Sequence, residues 1–176
     1  RQRINISFSG SGPAFQRGEI MRGIQVRILI AAGGSGGHIF PAVALARSLE
    51  EKRDGTDILF VGSNKSLDRN IFDKEGFRYI LLSRNKLPYK ISHKTVLFFM
   101  LLVLDIMRSF FIVISYRPDV VVGFGGYVSS PVSIMSYLLG VPIVAHEQNV
   151  VPGRANNFLF KLSKRITISF KETVGY

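Results

Sequence analysis

The stretch Ile28-Leu-Ile-Ala-Ala-Gly-Gly-Ser-Gly-Gly-His38-Ile-Phe-Pro41 decides which fold the sequence predicts. Its apolar start is typical of a buried strand, and Pro41 stands where the first residue of a helix belongs. A strand, a glycine-rich turn and a helix in succession direct backbone N–H groups and the positive end of a helix dipole to one place, which favours an anion site. His38 is the only titratable side chain on this turn. The other residues of the turn are Gly33, Gly34, Ser35, Gly36 and Gly37.

Size and composition indicate one globular domain. The chain has 176 residues, of which 47% are hydrophobic and 17 are glycine, and this suits a buried parallel sheet with tight turns. Cysteine is absent, so disulfides and thiolate metal sites are excluded. The histidines at 38, 93 and 146 lack the spacing of metal ligands, and no Asp-x-Asp pair occurs. We therefore expect neither a metal nor a cofactor.

The net charge of +11 favours an anionic partner, which could be a nucleic acid, a membrane surface or a phosphorylated substrate. No stretch resembles a known nucleic-acid-binding module, and basic residues do not interleave with aromatic ones on a predicted strand. We therefore expect no nucleic-acid partner. A nucleic-acid binder would instead show binding that collapses with rising salt concentration.

Strand and helix patterns alternate along most of the chain. This alternation predicts an α/β fold with a doubly wound, Rossmann-like parallel sheet of about six strands. The expected strand order is 3-2-1-4-5-6, which makes the first and fourth strands neighbours. The strands are predicted at 26–32, 58–61, 77–82, 119–123, 142–145 and 165–170.

The two ends of the sequence depart from this pattern. Residues 1–20 contain a linker-like Ser-Gly-Ser-Gly-Pro run and lack the apolar core of a secretory signal, so a poorly ordered arm is expected there. The domain itself is expected to occupy residues 21–170. Residues 171–176 follow the last predicted strand without a helix, and we expect them to begin a connection to a further domain.

The segment from Val96 to Ile114 is long enough to span a bilayer, and its only polar residues are Asp105, Arg108 and Ser109. A charge near the centre of a span costs roughly 2.5–3.5 kcal/mol, and another strand of the same sheet follows the segment. We therefore predict a crossover helix on which Asp105 and Arg108 pair and face water. One apolar face should pack on the sheet and another should be exposed.

A basic run precedes this helix and, together with an exposed apolar face, would suit an anionic membrane surface. Basic residues near such a surface contribute about 1 kcal/mol each. The residues expected to contact a membrane are Arg84, Lys86, Lys90, Lys94, Phe98, Phe99 and Leu102.

Three polar clusters follow predicted strands, at the sheet edge where open parallel sheets bind ligands. They are the turn at 33–38, a second glycine turn Gly123-Phe-Gly-Gly-Tyr127-Val-Ser129, and the run His146-Glu-Gln-Asn149. With the first and fourth strands adjacent, both glycine turns should flank one crevice. In the second cluster Gly125, Gly126, Tyr127 and Ser129 are the candidate ligand contacts.

Other glycine-rich motifs fit the first turn poorly. The dinucleotide fingerprint fails because Ile39 stands at its third glycine position, and the nucleoside-triphosphate loop fails because no Gly-Lys-Ser/Thr follows. Gly33 to Gly37 matches the nucleophile elbow of hydrolases, but that elbow belongs after several strands and this turn follows the first.

These motifs resemble the MurG family of inverting glycosyltransferases. The resemblance is carried by the first turn through Ala42, by the second turn, and by the run from His146 to Asn156 with its internal Pro-Gly. It implies the N-terminal, acceptor-binding half of a GT-B fold, which would be inactive alone. The family transfers N-acetylglucosamine from UDP-GlcNAc to the C4 hydroxyl of undecaprenyl-diphosphate-linked muramyl pentapeptide, at the cytoplasmic face of the bacterial plasma membrane. Ser35 and Ser130 depart mildly from its pattern.

The resemblance and the residues together suggest roles. A diphosphate acceptor needs a backbone cradle, which the two glycine turns could supply. His38, at a helix N-terminus, should be biased toward the neutral form and is our candidate general base, with Glu147 as the alternative. Glu147 and Asn149 are otherwise assigned to acceptor recognition and Gln148 to a structural role, while His146 is either a packing residue or a ligand.

A second function is also compatible with the sequence. The chain would then be a non-catalytic, membrane-docking subunit of a split lipid-linked sugar transferase. Whether the native gene continues beyond Tyr176 would separate these two readings.

Overall fold

A computed structural model describes residues 25–83 and 93–175 of the chain. The strands are β1 (Val26–Ala31), β2 (Thr56–Ser63), β3 (Tyr79–Leu82), β4 (Val120–Gly123), β5 (Ile143–Glu147) and β6 (Arg165–Ile168). They form one sheet in the order β3-β2-β1-β4-β5-β6, and each neighbouring pair is parallel. The predicted α/β class, the doubly wound sheet and the strand order are therefore confirmed.

Helices cover both faces of this sheet. They are α1 (Gly36–Lys52), α2 (Ser66–Glu75), α3 (His93–Tyr116), α4 (Ser129–Leu138) and α5 (Arg154–Leu162), followed by a 3-10 turn at Lys171–Gly175. Ile28 and Ile30 of β1 belong to the hydrophobic cluster that contains α1 and α2, whereas Leu29 and Ala31 belong to the cluster that contains α3, α4 and α5. Because alternate residues of a strand point to opposite faces, β1 is buried on both sides.

The first helix begins earlier than the sequence suggested. Ser35 is its N-cap, in an extended conformation, and the helix starts at Gly36, so Pro41 lies inside α1 instead of opening it. Pro41 is the sixth residue of this helix, and because proline lacks an N–H, the carbonyl of Gly37 loses the intrahelical hydrogen bond that another residue at 41 would donate. The glycines at 36 and 37 therefore belong to the helix, and His38 projects from its first turn.

Asp105 and Arg108 on helix α3 form the predicted ion pair, at 3.6 Å, but Asp105 points inward, so the prediction that both residues face water is wrong. Asp105 and Ser109 are fully buried, and only the Arg108 side chain, 61% exposed, reaches solvent. The Asp105 carboxylate accepts hydrogen bonds from the backbone N–H of Ser83 at 3.1 Å and from the hydroxyl of Tyr127 at 3.0 Å. These bonds offset the free-energy cost of removing the carboxylate from water, since a buried charge needs partners. Asp105 therefore anchors the helix to the sheet.

The outer face of α3 is apolar and exposed. Thr95–Tyr116 is long and apolar enough to cross a membrane by length and composition alone, and 28% of its most apolar window is buried. The exposed side chains on this face are Val96, Leu97, Phe99, Met100, Val103, Leu104, Met107, Phe111 and Ile114. We call these nine residues the α3 apolar face. A contiguous exposed apolar surface of this kind marks an interaction site more often than chance exposure does.

Of the residues predicted to contact a membrane, Phe99 is 57% exposed and Leu102 is half-buried. Phe98 is only 6% exposed and packs its ring 6.0 Å from that of Tyr127, so its assignment to the exposed face is wrong. It lies on the same side of the helix as Asp105. The arm at 1–20, the basic residues Arg84, Lys86 and Lys90, and the side chain of Lys94 lie outside the described residues.

Candidate active site

The first glycine turn, residues 33–37, is held from behind by Asp68. One carboxylate oxygen of Asp68, Oδ2, accepts the backbone N–H of Gly34 at 2.9 Å, the N–H of Ser63 at 2.8 Å and the Ser63 hydroxyl at 2.7 Å. A Cβ on Gly33 would lie 2.6 Å from the same oxygen, so only glycine fits there. Asp68 is fully buried at the start of α2. Its position ties the turn to the end of β2.

This arrangement changes the predicted anion cradle. Gly34 was expected to offer its N–H to a ligand, but Asp68 already accepts that hydrogen. The free donors at this turn are instead those of the first turn of α1, at Gly36 and Gly37, because early helical N–H groups have no intrahelical acceptor. Gly37 and Ser35 are both exposed, so this end of α1 is open to a ligand. Lys65 adds a cation beside it by donating to the Gly34 carbonyl.

The second glycine turn, residues 123–127, touches the first. Gly125 and Gly126 both have positive φ, +88° and +76°, which favours glycine at each position. A Cβ on Gly126 would lie 2.7 Å from the carbonyl oxygen of Gly33 and 3.4 Å from Cδ2 of His38. The structure therefore brings both turns to one crevice, as the strand order predicted, and His38 lies between them.

Ser129 and Tyr127 are engaged by the protein itself. Ser129 is buried, and its hydroxyl lies 2.8 Å from the carbonyl oxygen of Ala31 and 2.7 Å from that of Gly125, so its predicted role in contacting substrate is wrong. It fastens the second turn to the end of β1. Tyr127 is half-buried and donates its hydroxyl hydrogen to Asp105, which links the second turn to α3.

Glu147 braces a loop. It is fully buried, and Oε1 accepts both the backbone and the side-chain N–H of Asn149, each at 2.9 Å. Oε2 accepts the side-chain amide of Asn156 at 2.7 Å and the N–H of Gly153 at 3.3 Å. A carboxylate with all these partners and no exposure is placed to hold the Pro-Gly turn in shape. This geometry corrects the assignments of Glu147 to acceptor recognition and to the alternative base.

Asn149 remains available at the crevice rim. It is exposed, and its carbonyl oxygen accepts the hydroxyl of Thr173 from the 3-10 turn at 3.1 Å. Its amide nitrogen is committed to Glu147, which fixes the side chain and leaves Oδ1 to meet a ligand. This placement is compatible with the predicted binding role.

His38 is half-buried and contacts Gln148. Nδ1 of the ring lies 2.7 Å from the side-chain nitrogen of Gln148. Burial lowers the pKa of His38 from its ordinary 6.5, and this outweighs the opposing effects of a hydrogen bond to the Phe124 carbonyl and of the charges on Glu147 and Asp68. The imidazole is therefore neutral near pH 7. It is the state in which a histidine can accept a proton.

His146 is a packing residue. Its ring lies 5.1 Å from that of Phe124, Nδ1 is 2.9 Å from the Thr167 hydroxyl, and Nε2 is 3.2 Å from the Ser169 hydroxyl. Both nitrogens thus have partners on the β6 side of the sheet. Burial lowers the pKa of this histidine as well.

Sequence reasoning missed three residues of the site. Asp68 and Lys65 follow the end of β2, at the carboxyl edge of the sheet, and that position was the available signal. Gln148 was assigned a structural role because nothing local in the sequence shows that it contacts a helix 110 positions away. Across residues 25–83 and 93–175, no three histidine, aspartate or glutamate side chains are grouped where they could hold a metal ion.

Comparison with known proteins agrees with this fold. The crystal structure of MurG from Acinetobacter baumannii matches with a TM-score of 0.72 and 25% identity, over 84% of this chain and 43% of that one. A UDP-bound MnaA structure from S. aureus matches with a TM-score of 0.64 at 13% identity, which indicates a shared fold only. The parallel sheet and its covering helices form the fold of GT-B glycosyltransferases such as MurG.

Residues 28–168 match the glycosyltransferase family 28 N-terminal domain, and the chain belongs to that family. A UDP-N-acetylglucosamine--N-acetylmuramyl-(pentapeptide) pyrophosphoryl-undecaprenol N-acetylglucosamine transferase from Natranaerobius thermophilus is 36% identical over 151 residues, which cover 86% of this chain and 41% of the relative. The enzyme of that name from Desulfotalea psychrophila is 38% identical over 143 residues, covering 81% and 39%. The chain thus spans about two fifths of the length of these relatives.

Proposed function

We propose that this chain is the acceptor-binding half of an inverting glycosyltransferase. The reaction moves N-acetylglucosamine from UDP-GlcNAc to the C4 hydroxyl of undecaprenyl-diphosphate-linked muramyl pentapeptide. The relatives carry this activity in their names, and they share at least 36% identity over most of this chain. UDP-GlcNAc would bind mainly to the part of the relatives that lies beyond the matched residues.

One observation carries the proposal. His38 lies in the first turn of α1, and the contact between Gly126 and Gly33 brings the second glycine turn beside it. Burial lowers the pKa of His38, which favours its neutral form. A helix N-terminus attracts phosphate, and a neutral imidazole within the same crevice can take the proton of a sugar hydroxyl. Lys65 and the N–H groups of Gly36 and Gly37 are the groups that would meet the diphosphate.

The chemistry needs one base on this half. In an inverting displacement the acceptor oxygen attacks the anomeric carbon, the bond to the UDP oxygen breaks, and the hydroxyl proton passes to the base. His38 is suited to this step because burial keeps it neutral, whereas the carboxylate of Glu147 is enclosed by its own hydrogen bonds. We therefore assign the base to His38.

Membrane attachment follows from the lipid acceptor. The α3 apolar face is large and exposed. The basic residues at 84, 86 and 90 come just before that helix in sequence, and Lys94 is its second residue. An anionic bilayer would receive both the apolar side chains and the positive charges. We propose peripheral binding at the cytoplasmic face of the bacterial plasma membrane.

The test is a transfer assay on a completed enzyme. This chain is fused to the remaining three fifths of the N. thermophilus relative and given labelled UDP-GlcNAc with lipid-linked acceptor. His38→Ala should lower turnover by about two to four orders of magnitude, because general-base catalysis is worth that much. His146→Gln is the matched control and should retain most activity, because both ring nitrogens of His146 contact hydroxyls of the protein itself, those of Thr167 and Ser169.

A loss of only a few-fold in His38→Ala would remove His38 from the base role. Absence of transfer in the unsubstituted fusion, despite UDP-GlcNAc binding by the added part, would contradict the enzyme assignment and favour a docking subunit.

A further inference from the structure

The side chain of Gln148 is unusual because half of its amide lacks a partner. Its nitrogen lies 2.7 Å from Nδ1 of His38, while its oxygen, Oε1, is buried and has no hydrogen-bond partner within the described residues. A buried amide oxygen left unpaired loses its hydrogen bonds to water and gains none in return. Natural structures pair the large majority of such atoms. A use for the oxygen in another state of the site would account for its position.

The two protonation states of the His38 ring differ in what they require of Gln148. The side-chain nitrogen of Gln148 can only donate, so Nδ1 of the ring that faces it accepts, and the hydrogen of the neutral ring is on Nε2. A neutral ring with its hydrogen on Nε2 holds its lone pair on Nδ1. The amide N–H of Gln148 donates to that lone pair, so this orientation of the amide suits only the neutral ring.

We propose that Gln148 is a positioning residue whose amide reverses when His38 takes up a proton. The charged ring carries a hydrogen on Nδ1 and needs an acceptor there, which a half-turn of the amide supplies by bringing Oε1 to face the ring. The reversal breaks no hydrogen bond of Oε1, because Oε1 has none within the described residues. The inference rests on the proposed role of His38 as the base.

The charged residues near His38 cannot supply the acceptor that the protonated ring needs at Nδ1. Glu147 at the end of β5 and Asp68 on α2 both favour the protonated ring, but each carboxylate is fixed by its own hydrogen bonds. Lys65 contacts the first glycine turn and His146 lies across the Phe124 ring. Gln148, which carries no charge, is the side chain in contact with the ring that can present either a donor or an acceptor.

The experiment is an NMR titration of the histidines in this chain and two variants. Gln148→Glu places a carboxylate at Nδ1 and should raise the pKa of His38 by about one unit or more. Gln148→Met keeps the volume but offers neither donor nor acceptor. It should lower the pKa of His38, because the charged ring loses more from a missing partner than the neutral ring does.

His146 is the internal control for Gln148→Met, which adds no charge, and it should titrate in that variant as it does in the unsubstituted chain. If Gln148→Met raises the pKa of His38 or leaves it unchanged, the amide does not reverse and the proposal is overturned. If Gln148→Glu leaves the pKa unchanged, the two side chains are not in contact and the proposal also fails. The methionine variant introduces no charge, so it decides the matter even where the glutamate variant does not fold.

A second readout separates this inference from the proposed function. In the completed enzyme, the acidic limb of the kcat profile against pH should move upward in Gln148→Glu by the same shift as the pKa of His38. If the pKa moves but the profile does not, Gln148 acts on His38 as proposed and His38 is not the base.

Discussion

Asp68 shows how much one buried side chain can organise. Its Oδ2 accepts three hydrogen bonds from two different strand ends, while Oδ1 is buried without a partner in the described chain. The carboxylate thereby fixes the path of Gly33 and Gly34 before any ligand arrives. It also takes away one N–H that the glycine pattern alone would assign to an anion.

Replacing Asp68 with Asn should therefore destabilise the fold. The amide has one acceptor oxygen and no charge, so the bonds to Gly34 and Ser63 weaken, and a loss of about 1–3 kcal/mol in the free energy of unfolding is expected. Urea denaturation measures it. Asp73→Asn on the exposed side of the same helix is the control and should change stability by less than about 0.5 kcal/mol. Equal effects of the two substitutions would show that the network adds nothing.

The contact between the two turns can be measured with a pair of glycines. Gly126 and Gly140 have nearly equal φ, +76° and +74°, but a Cβ on Gly126 meets the Gly33 carbonyl at 2.7 Å whereas Gly140 has open space. Alanine at either position costs roughly 1–2 kcal/mol for the left-handed backbone. Gly126→Ala should cost about 1–3 kcal/mol more, because the turns must separate. Matching denaturation midpoints would mean that the turns are not in contact.

Some of this residue-scale detail could be predicted from sequence and some could not. The glycines and His38 stand in one local motif, so their grouping is readable directly. Phe98 and Phe99 look alike in an apolar run, yet one is buried and the other exposed, because the side of the helix that packs is set by Asp105 and its partners. A charged pair in an apolar helix indicates a solvent-exposed face only when the protein interior offers no hydrogen-bond partners for the charges.

At the scale of elements, helix α3 has two faces with different roles. Its inner stripe bonds to the end of β3 and to the second glycine turn through Asp105, and its outer stripe is the α3 apolar face. Helix α3, which is proposed to contact the membrane, therefore also contacts the second glycine turn at the crevice. A surface-bound chain would hold its site at a fixed height above the lipid.

Charged substitutions on the α3 apolar face should weaken membrane binding. Phe99→Glu and Phe111→Glu each remove a large side chain that is 57% and 61% exposed, so each should weaken binding to phosphatidylglycerol vesicles about tenfold or more. Flotation of this chain with the vesicles measures it. Leu67→Glu, 44% exposed on α2, is the control and should float normally. Unchanged flotation of all three variants would exclude this face as the contact.

Element boundaries were predicted less well than element order. The alternation of patterns fixes the sheet topology, because parallel strands with short connections admit few arrangements. The start of α1 is predicted at Pro41, because proline is common at a first helical position. The helix instead begins at Gly36, and the glycines at 36 and 37 already have helical geometry. The end of β5 was placed two residues too early, since Glu147 is polar and its partners come from later in the chain.

For the whole molecule, the buried histidines predict how stability depends on pH. Burial lowers the pKa of His38 and of His146 below their ordinary 6.5, so the unfolded chain binds protons that the folded chain resists. Their contribution to stability is fully present above about pH 6.5 and is lost as the pH falls toward the folded pKa values. Urea unfolding near pH 7.5 and near pH 5.5 should show this loss.

The matched comparison is a double variant with glutamine at both positions. It should lose less stability between these two conditions than the unsubstituted chain does, since glutamine does not titrate. An equal loss would assign the acid sensitivity to the carboxylates alone.

The pairing of β1 with β4 has a consequence for how the protein is made. Ser129 donates a hydrogen bond to the carbonyl of Ala31 across 98 positions of sequence. In the described chain, two strands and three helices lie between β1 and β4, the two strands that pair here. Long-range pairings of this kind form late, because closing a long loop costs conformational entropy before the contacts between the strands can stabilise it. A nascent chain emerging from the ribosome would carry the first glycine turn well before its opposite wall existed. Until β4 is synthesised, the histidine has no crevice around it, and the half-made sheet exposes one side of β1 as an unpaired edge.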